Sequence, residues 1–166
     1  MALTQERLKE LLNYDPETGE FTWREDRGGK KAGEPAGCKK RTYIAISVDD
    51  KVYRAHLLAW LYTTGEWPHP FLDHKDLNKH NNAFDNLREA TKSQNMANVG
   101  LIASNKSGLK GVSRYRAGER YGKPWQASIR DNGKSKHLGH FANAEQAHAA
   151  YCAAAEIIFG EFARAA

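Results

Sequence analysis

The chain has 166 residues, with 25 Lys+Arg against 20 Asp+Glu, a formal net charge of +5 and a pI near 9.2. That length suits one domain or two small ones, and 40% hydrophobic with 27% charged residues excludes a disordered chain and fits a soluble globular one. The most apolar run, Leu57 to Tyr62, falls far short of the roughly 20 residues that cross a bilayer, and no signal-peptide pattern opens the sequence. A cytoplasmic setting with no membrane is therefore expected.

In chain order, Thr4 is expected to cap a first helix, with Glu6 in its first turn, Leu3 and Leu8 placed as a hydrophobic staple, and Leu8, Leu11 and Leu12 as its apolar stripe. Asp15-Pro16-Glu17-Thr18-Gly19 reads as a turn into the alternating strand Phe21-Thr22-Trp23. A Gly/Lys-rich loop over 28–40 precedes a hairpin, with Thr42 to Val48 outward, Asp49-Asp50 turning and Val52-Tyr53 returning. Ala55 to Thr63 is apolar nearly all round, which predicts a buried helix stopped at Gly65. Residues 98–108 are small and polar and read as a linker. Beyond it, strands are expected near Lys110–Arg116, Pro124–Arg130 and Lys134–His140. A closing helix is expected to be capped by Asn143, with Gln146 at the capping-box position and Gly160 as its stop.

The charge is unevenly placed. Residues 1–103 hold 15 basic and 15 acidic side chains, so the whole excess belongs to residues 104–166, with 10 against 5. Tyr115, Tyr121 and Trp125 are interleaved with that basic run, which points to nucleic acid rather than a merely solvated face. Cys38 and Cys152 have no second Cys or His at zinc-site spacing, so structural zinc is not expected, and a reducing compartment argues against a disulfide.

Between Phe71 and Ala97 the chain is dense in Asp, Asn and His. Asp73 and His74 end a short strand, Asn86 precedes a second one at Leu87 to Ala90, and Asn95 falls on a short helix opened by Thr91 or Ser93. A strand-strand-helix unit of this kind can bring one carboxylate and one amide carbonyl to a hard divalent cation, and an imidazole to a water. Asn86 is expected to orient that imidazole by accepting its other N–H. Asn82 is expected to brace the loop, and His56 to be a satisfied core histidine.

The run Asp73-His74, Asn82, Asn86-Leu87-Arg88 and Asn95 resembles the HNH homing endonucleases, the ββα-metal nucleases of phages and mobile introns. Tyr14-Asp15-Pro16-Glu17-Thr18-Gly19 and Arg54-Ala55-His56-Leu57-Leu58-Ala59-Trp60 are similar to the N-terminal part of phage-type members. The resemblance implies His74 as general base, Asn86 as its orienting residue, and Asp73 with Asn95 as ligands of Mg2+ or Mn2+.

Lys110 to Arg116, Trp125 to Arg130, Leu138 to Phe141 and Ala144 to Tyr151 together resemble the AP-two/ERF domain of plant ethylene-response factors, in which a three-stranded sheet lies in the DNA major groove. Strand alternation turns Gln126, Ser128 and Arg130 outward, together with Ser113, Tyr115, Ser135 and His137. Ser113 and Tyr115 stand where that family usually has arginines, which weakens base reading. Arg114, Arg116, Lys134 and Lys136 are expected on phosphates.

The fold class expected is α+β. An HNH domain over 1–98, with its ββα core at 71–98 preceded by a small α/β-hairpin region, joins through a 99–108 linker to a 109–166 AP-two/ERF-like DNA-binding domain, a three-stranded antiparallel sheet on one helix. The function expected is a metal-dependent DNA endonuclease that nicks duplex DNA as a monomer or weak homodimer. The alternative is a non-catalytic DNA-binding regulator on a degenerate HNH scaffold.

Overall fold

A computed structural model describes residues 3–164. It has mixed α/β structure, with small sheets and several helices, and divides into two compact units, Met1–Ala90 and Thr91–Ala166.

In the first unit, α1 (Gln5–Leu11) begins at Thr4, whose hydroxyl accepts the Arg7 N–H, and runs directly into β1 (Leu12–Tyr14). β1 pairs antiparallel with β2 (Phe21–Trp23) around the Asp15–Gly19 turn, closed by the Gly19 N–H on the Asp15 carbonyl at 2.8 Å. β3 (Cys38–Lys39), β4 (Ile44–Val48) and β5 (Lys51–Arg54) form a second antiparallel sheet. The loop expected over 28–40 is thus partly paired, since it contains β3. Asp49 and Asp50 both take positive φ, 46° and 63°, as a two-residue hairpin turn requires. Arg7 and Arg27 hold Asp49 from the α1 side, at 3.0 and 3.1 Å. α2 (Ala55–Thr64) ends at Gly65 in the left-handed region, φ 83°. Its Leu58, Ala59 and Leu61 bury against Leu8, Leu12, Ile46 and Val48. Each such leucine removed from water contributes about 1.5–3 kcal/mol, and the same core takes in Leu72 and Leu87 of the last two strands of the unit.

Those strands are β6 (Phe71–His74) and β7 (Leu87–Ala90), an antiparallel ribbon with Asp73 opposite Arg88 and His74 opposite Leu87. A 3-10 turn, Phe84–Asn86, leads into β7.

The second unit opens with α3 (Lys92–Asn98), capped by Thr91, whose hydroxyl accepts the Gln94 N–H while Gln94 Oε1 accepts the Thr91 N–H. α3 and the segment after it, expected to end the first domain and to form a linker, lie in this unit. Side-chain bonds account for that. The Lys110 ammonium reaches the Ala97 carbonyl and, at 2.6 Å, that of Val99, while Ser93 Oγ donates to Asp131 at 3.0 Å. β8 (Val112–Arg114), β9 (Trp125–Asp131) and β10 (Lys134–Phe141) make an antiparallel sheet in the order β10-β9-β8. α4 (Ala144–Phe159), capped by Asn143 on the Gln146 N–H at 2.8 Å, shares a core of Val112, Ala127 and Ala147 with that sheet. The Tyr151 ring lies on Gly111, where a Cβ would stand 1.9 Å from it. No helix among the described residues is long and apolar enough to cross a membrane.

Candidate nuclease site

The residues expected to carry chemistry in the first unit sit on β6 and the loop that follows it. Leu72, Asp73 and His74 are all buried, while Phe71 at the strand's start is half exposed. Asp73 is paired across the ribbon with Arg88, whose Nε and Nη2 both lie 3.2 Å from its Oδ2. His74 is 5% exposed, and its Nε2 stands 3.2 Å from Oδ1 of Asn82, itself fully buried. Burial pushes the imidazole below its usual range, against the Asn82 bond that favours the charged form, so the ring is neutral at pH 7.

The expected partners of His74 are thereby exchanged. Asn86 does not hold the imidazole. Its Nδ2 donates to Asp76 Oδ1 at 2.9 Å and to the Asn81 carbonyl at 2.8 Å, and its Oδ1 accepts the Asp76 N–H at 3.1 Å. Asn86 is the brace of the loop, and Asn82, assigned that bracing role from sequence, is the side chain on the imidazole. The physical reason is burial. The loop folds Asn82 inward over the end of β6, whereas Asn86, at the end of the 3-10 turn, meets the loop's Asp76. Asp76 is a hub that sequence reasoning passed over. It also accepts from Asn81 Nδ2 and the Asn78 N–H, both at 2.8 Å, and these bonds outweigh burial and hold its carboxyl below the usual range.

Asn82 is fastened from behind by the first hairpin. Tyr14 donates its hydroxyl to the Asn82 carbonyl at 2.7 Å, and the Phe84 N–H reaches the Pro16 carbonyl at 2.8 Å. Gly19, φ 75°, is so close that an added Cβ would lie 2.2 Å from the Asn82 carbonyl carbon. The Tyr14–Gly19 motif therefore seats the residue that seats His74.

His56 on α2 is not the satisfied core histidine expected. It is 4% exposed, its Nδ1 has no hydrogen-bond partner, and its ring meets His74 edge-on at 4.9 Å between centroids. Burial lowers it from 6.5 to about 3, helped by its histidine neighbour, so it too is neutral. Asn82 Nδ2 is likewise buried without a partner. Unpartnered buried polar atoms are uncommon, and two of them adjoin one imidazole. Tyr43 completes the aromatic wall, 5.0 Å from His56 and 6.4 Å from His74.

Asn95 lies half-buried on α3 in the second unit, its N–H bonded to Thr91. In the same unit the register sets Ser113, Gln126 and His140 in one row, Ser128 and His137 in the next, and Arg130 and Ser135 in a third, all on the face away from Ala127 and Ile129. His140 joins that face because of a bulge between His137 and Gly139, which simple alternation could not foresee. Tyr115 stacks on His140 at 4.3 Å. Arg114 instead shares the Trp125 row, lies 5.2 Å over that ring and pairs with Glu119 at 2.9 Å. Arg116 opens a 3-10 turn, and the exposed Lys134 and Lys136 register with Asp131 and Ile129. Among the basic residues expected on DNA, Arg130 stands on the outward face.

A family profile described as HNH endonuclease matches residues 53–97, a span that holds His56, Asp73, His74, Asn82, Asn86 and Asn95. The chain is 36% identical over 85 residues to Protein 3.8 of Escherichia phage T7, covering 51% of this chain and 67% of that protein. The chain carries an HNH endonuclease domain over residues 53–97. It is also 38% identical over 93 residues to an uncharacterized HNH endonuclease, L560, of Acanthamoeba polyphaga mimivirus, covering 56% of this chain. It spans under half of that relative's length, 45%. No solved structure matches the chain.

HNH nucleases generally use a divalent metal ion, and the donors here suit a hard one. Asp73 offers carboxylate oxygen, and among the described residues no three His, Cys, Asp or Glu side chains gather into a cage.

Proposed function

We propose that this HNH protein is a DNA endonuclease of the homing or phage type, with His74 as its general base. The observation that supports this reading best is a buried, neutral imidazole beside Asp73, held on Nε2 by Asn82. With Asn82 Oδ1 accepting the Nε2 proton, the lone pair of the neutral ring is on Nδ1, which takes a proton from water as that water attacks phosphorus. A fixed ring loses no time in the wrong orientation, which is the catalytic value of a buried amide partner. Asp73 and Asn95 are the oxygen donors proposed for Mg2+ or Mn2+ in a ββα-metal arrangement. Bound there, the ion would neutralise charge on the phosphate and at the departing 3′ oxygen. Hydrolysis then leaves 5′-phosphate and 3′-hydroxyl ends, and one such centre nicks one strand at a time.

The second unit is proposed as an AP-two/ERF-like grip on duplex DNA. Gln126, Ser128, Arg130, His137 and Tyr115 are its groove-facing set, and Arg114, Arg116, Lys134 and Lys136 its rim. Holding DNA there raises the effective concentration of the phosphodiester at His74.

Supercoiled plasmid incubated with Mg2+, with EDTA, and with the His74→Ala protein tests the reading. Metal-dependent nicking that disappears in the variant is expected. Binding of the plasmid with no cleavage by the unaltered protein under any divalent metal would instead leave a DNA-binding regulator on an inactive scaffold.

A further inference from the structure

The nuclease unit is nearly neutral, with 14 Lys+Arg against 15 Asp+Glu over residues 1–90, and on charge alone it offers DNA nothing. Its charges are segregated, however. Glu10, Asp26, Glu34 and Asp49 are spent on Arg7, Arg27, Lys30 and Lys31 around α1 and the 24–34 loop. On the outer face of the β3-β4-β5 sheet the cations have no such partners. Lys40 and Arg41 lead into β4, Arg54 ends β5, and Lys79 comes from the loop after His74, all of them exposed. None of these four makes an ion pair among the described residues.

Two of them converge on one ring. The Arg54 guanidinium lies 4.6 Å from the centre of Tyr43 and the Lys79 ammonium 5.2 Å from it. His80 fastens the second loop to the first through the Lys40 carbonyl, 3.1 Å from its Nε2. A shallow groove of about 380 Å3 is lined there by Lys40, Arg41, Tyr43 and Arg54. Tyr43 is the same ring that borders His56 and His74. Two cations gathered on one ring repel each other, and an anion laid along the groove would turn that repulsion into attraction. A spaced row of cations beside an aromatic face is the chemistry of a phosphodiester backbone.

We infer that the outer face of the β3-β4-β5 sheet, with Arg41, Arg54 and Lys79 around Tyr43, is a phosphate-backbone contact surface that seats the duplex strand beside His74. This rests on the nuclease reading for what His74 does, but its own content is binding, and binding can be read without cleavage. The full-length protein in EDTA is titrated with a fluorescent duplex from low to moderate salt, and the affinity is followed as salt rises. Arg54→Gln with Lys79→Gln is compared with Lys30→Gln with Lys31→Gln, which removes equal charge from a different surface.

The first pair is expected to lower the slope of log affinity against log salt by about 1.8, near 0.9 for each lost phosphate contact, and to weaken low-salt binding at least tenfold. The second pair is expected to leave the slope as it was. With Mg2+ the first pair should raise KM for nicking and leave the saturated rate unchanged. Equal slopes for the two pairs, or no binding by the unaltered protein at low salt, would overturn the surface. Binding with the expected slopes but no nicking would overturn the nuclease reading and leave the surface standing.

Discussion

Asn82 and Asn86 lie four residues apart and have different roles, because one side chain is buried on an imidazole and the other is spent on a loop carboxylate. Asn82→Ala should lower kcat for nicking by about 10- to 100-fold with KM little changed, the usual loss when a partner that orients a reacting group is removed. Asn86→Ala should instead lose stability by about 1–3 kcal/mol through the unfastened Asp76 loop, read from urea melts. His56 sets a pH dependence. Its folded value, about 3, lies below the ordinary 6.5, so between the two the unfolded chain binds the proton first. Stability is therefore full above about pH 6.5 and is lost as pH falls toward 3, by an amount on the order of a few kcal/mol. His56→Leu should flatten the fall in Tm between pH 7 and pH 4, and an unchanged fall would show that His56 is not the group responsible. None of these roles was legible residue by residue. The sequence marks Asn82 and Asn86 equally as short amides near a histidine, and only the fold says which is inside.

Single elements were more readable. The Thr4, Thr91 and Asn143 caps, the Asp49-Asp50 turn and the Gly65 stop all act within a few residues of themselves, so local rules place them. The β9–β10 turn likewise sits on Asn132 and Gly133, both at positive φ. What local rules could not supply is why the Asp15–Gly19 turn matters. Its packing partner is the backbone at Asn82 and Ala83, distant in sequence. Gly19→Ala should therefore cost more than an ordinary turn glycine. A Cβ there meets backbone that cannot swing aside, in addition to the strain of its positive φ, and a loss of at least about 2 kcal/mol is expected in thermal or urea unfolding. Nicking should fall as well, because the displaced backbone belongs to the residue on His74. The bulge in β10 is a second limit on local reading, since one extra residue moves His140 onto the outward face with His137 and Tyr115.

At the scale of the molecule, the division after Ala90 places 11 Lys+Arg and 5 Asp+Glu in the second unit. Lys134→Gln with Lys136→Gln should weaken binding nearly equally on unrelated duplex sequences and lower the salt slope by about 0.9 per residue, because contacts to phosphate carry affinity and little sequence information. A loss confined to one sequence would instead show that these lysines read bases. The Asp73-His74 to Asn95 pattern, the alternation of Trp125, Ala127 and Ile129, and the charge of the C-terminal part were all determined by the sequence alone, since each depends on residue type and spacing along a few turns of chain. The tertiary structure alone decided that Asn82 is the partner of His74, that His56 stands unpartnered beside it, that Tyr14 and Gly19 clamp the loop from behind, and that a neutral unit carries a basic face. Those outcomes depend on which distant side chains packing buries together, and neither spacing nor a charge count contains that information.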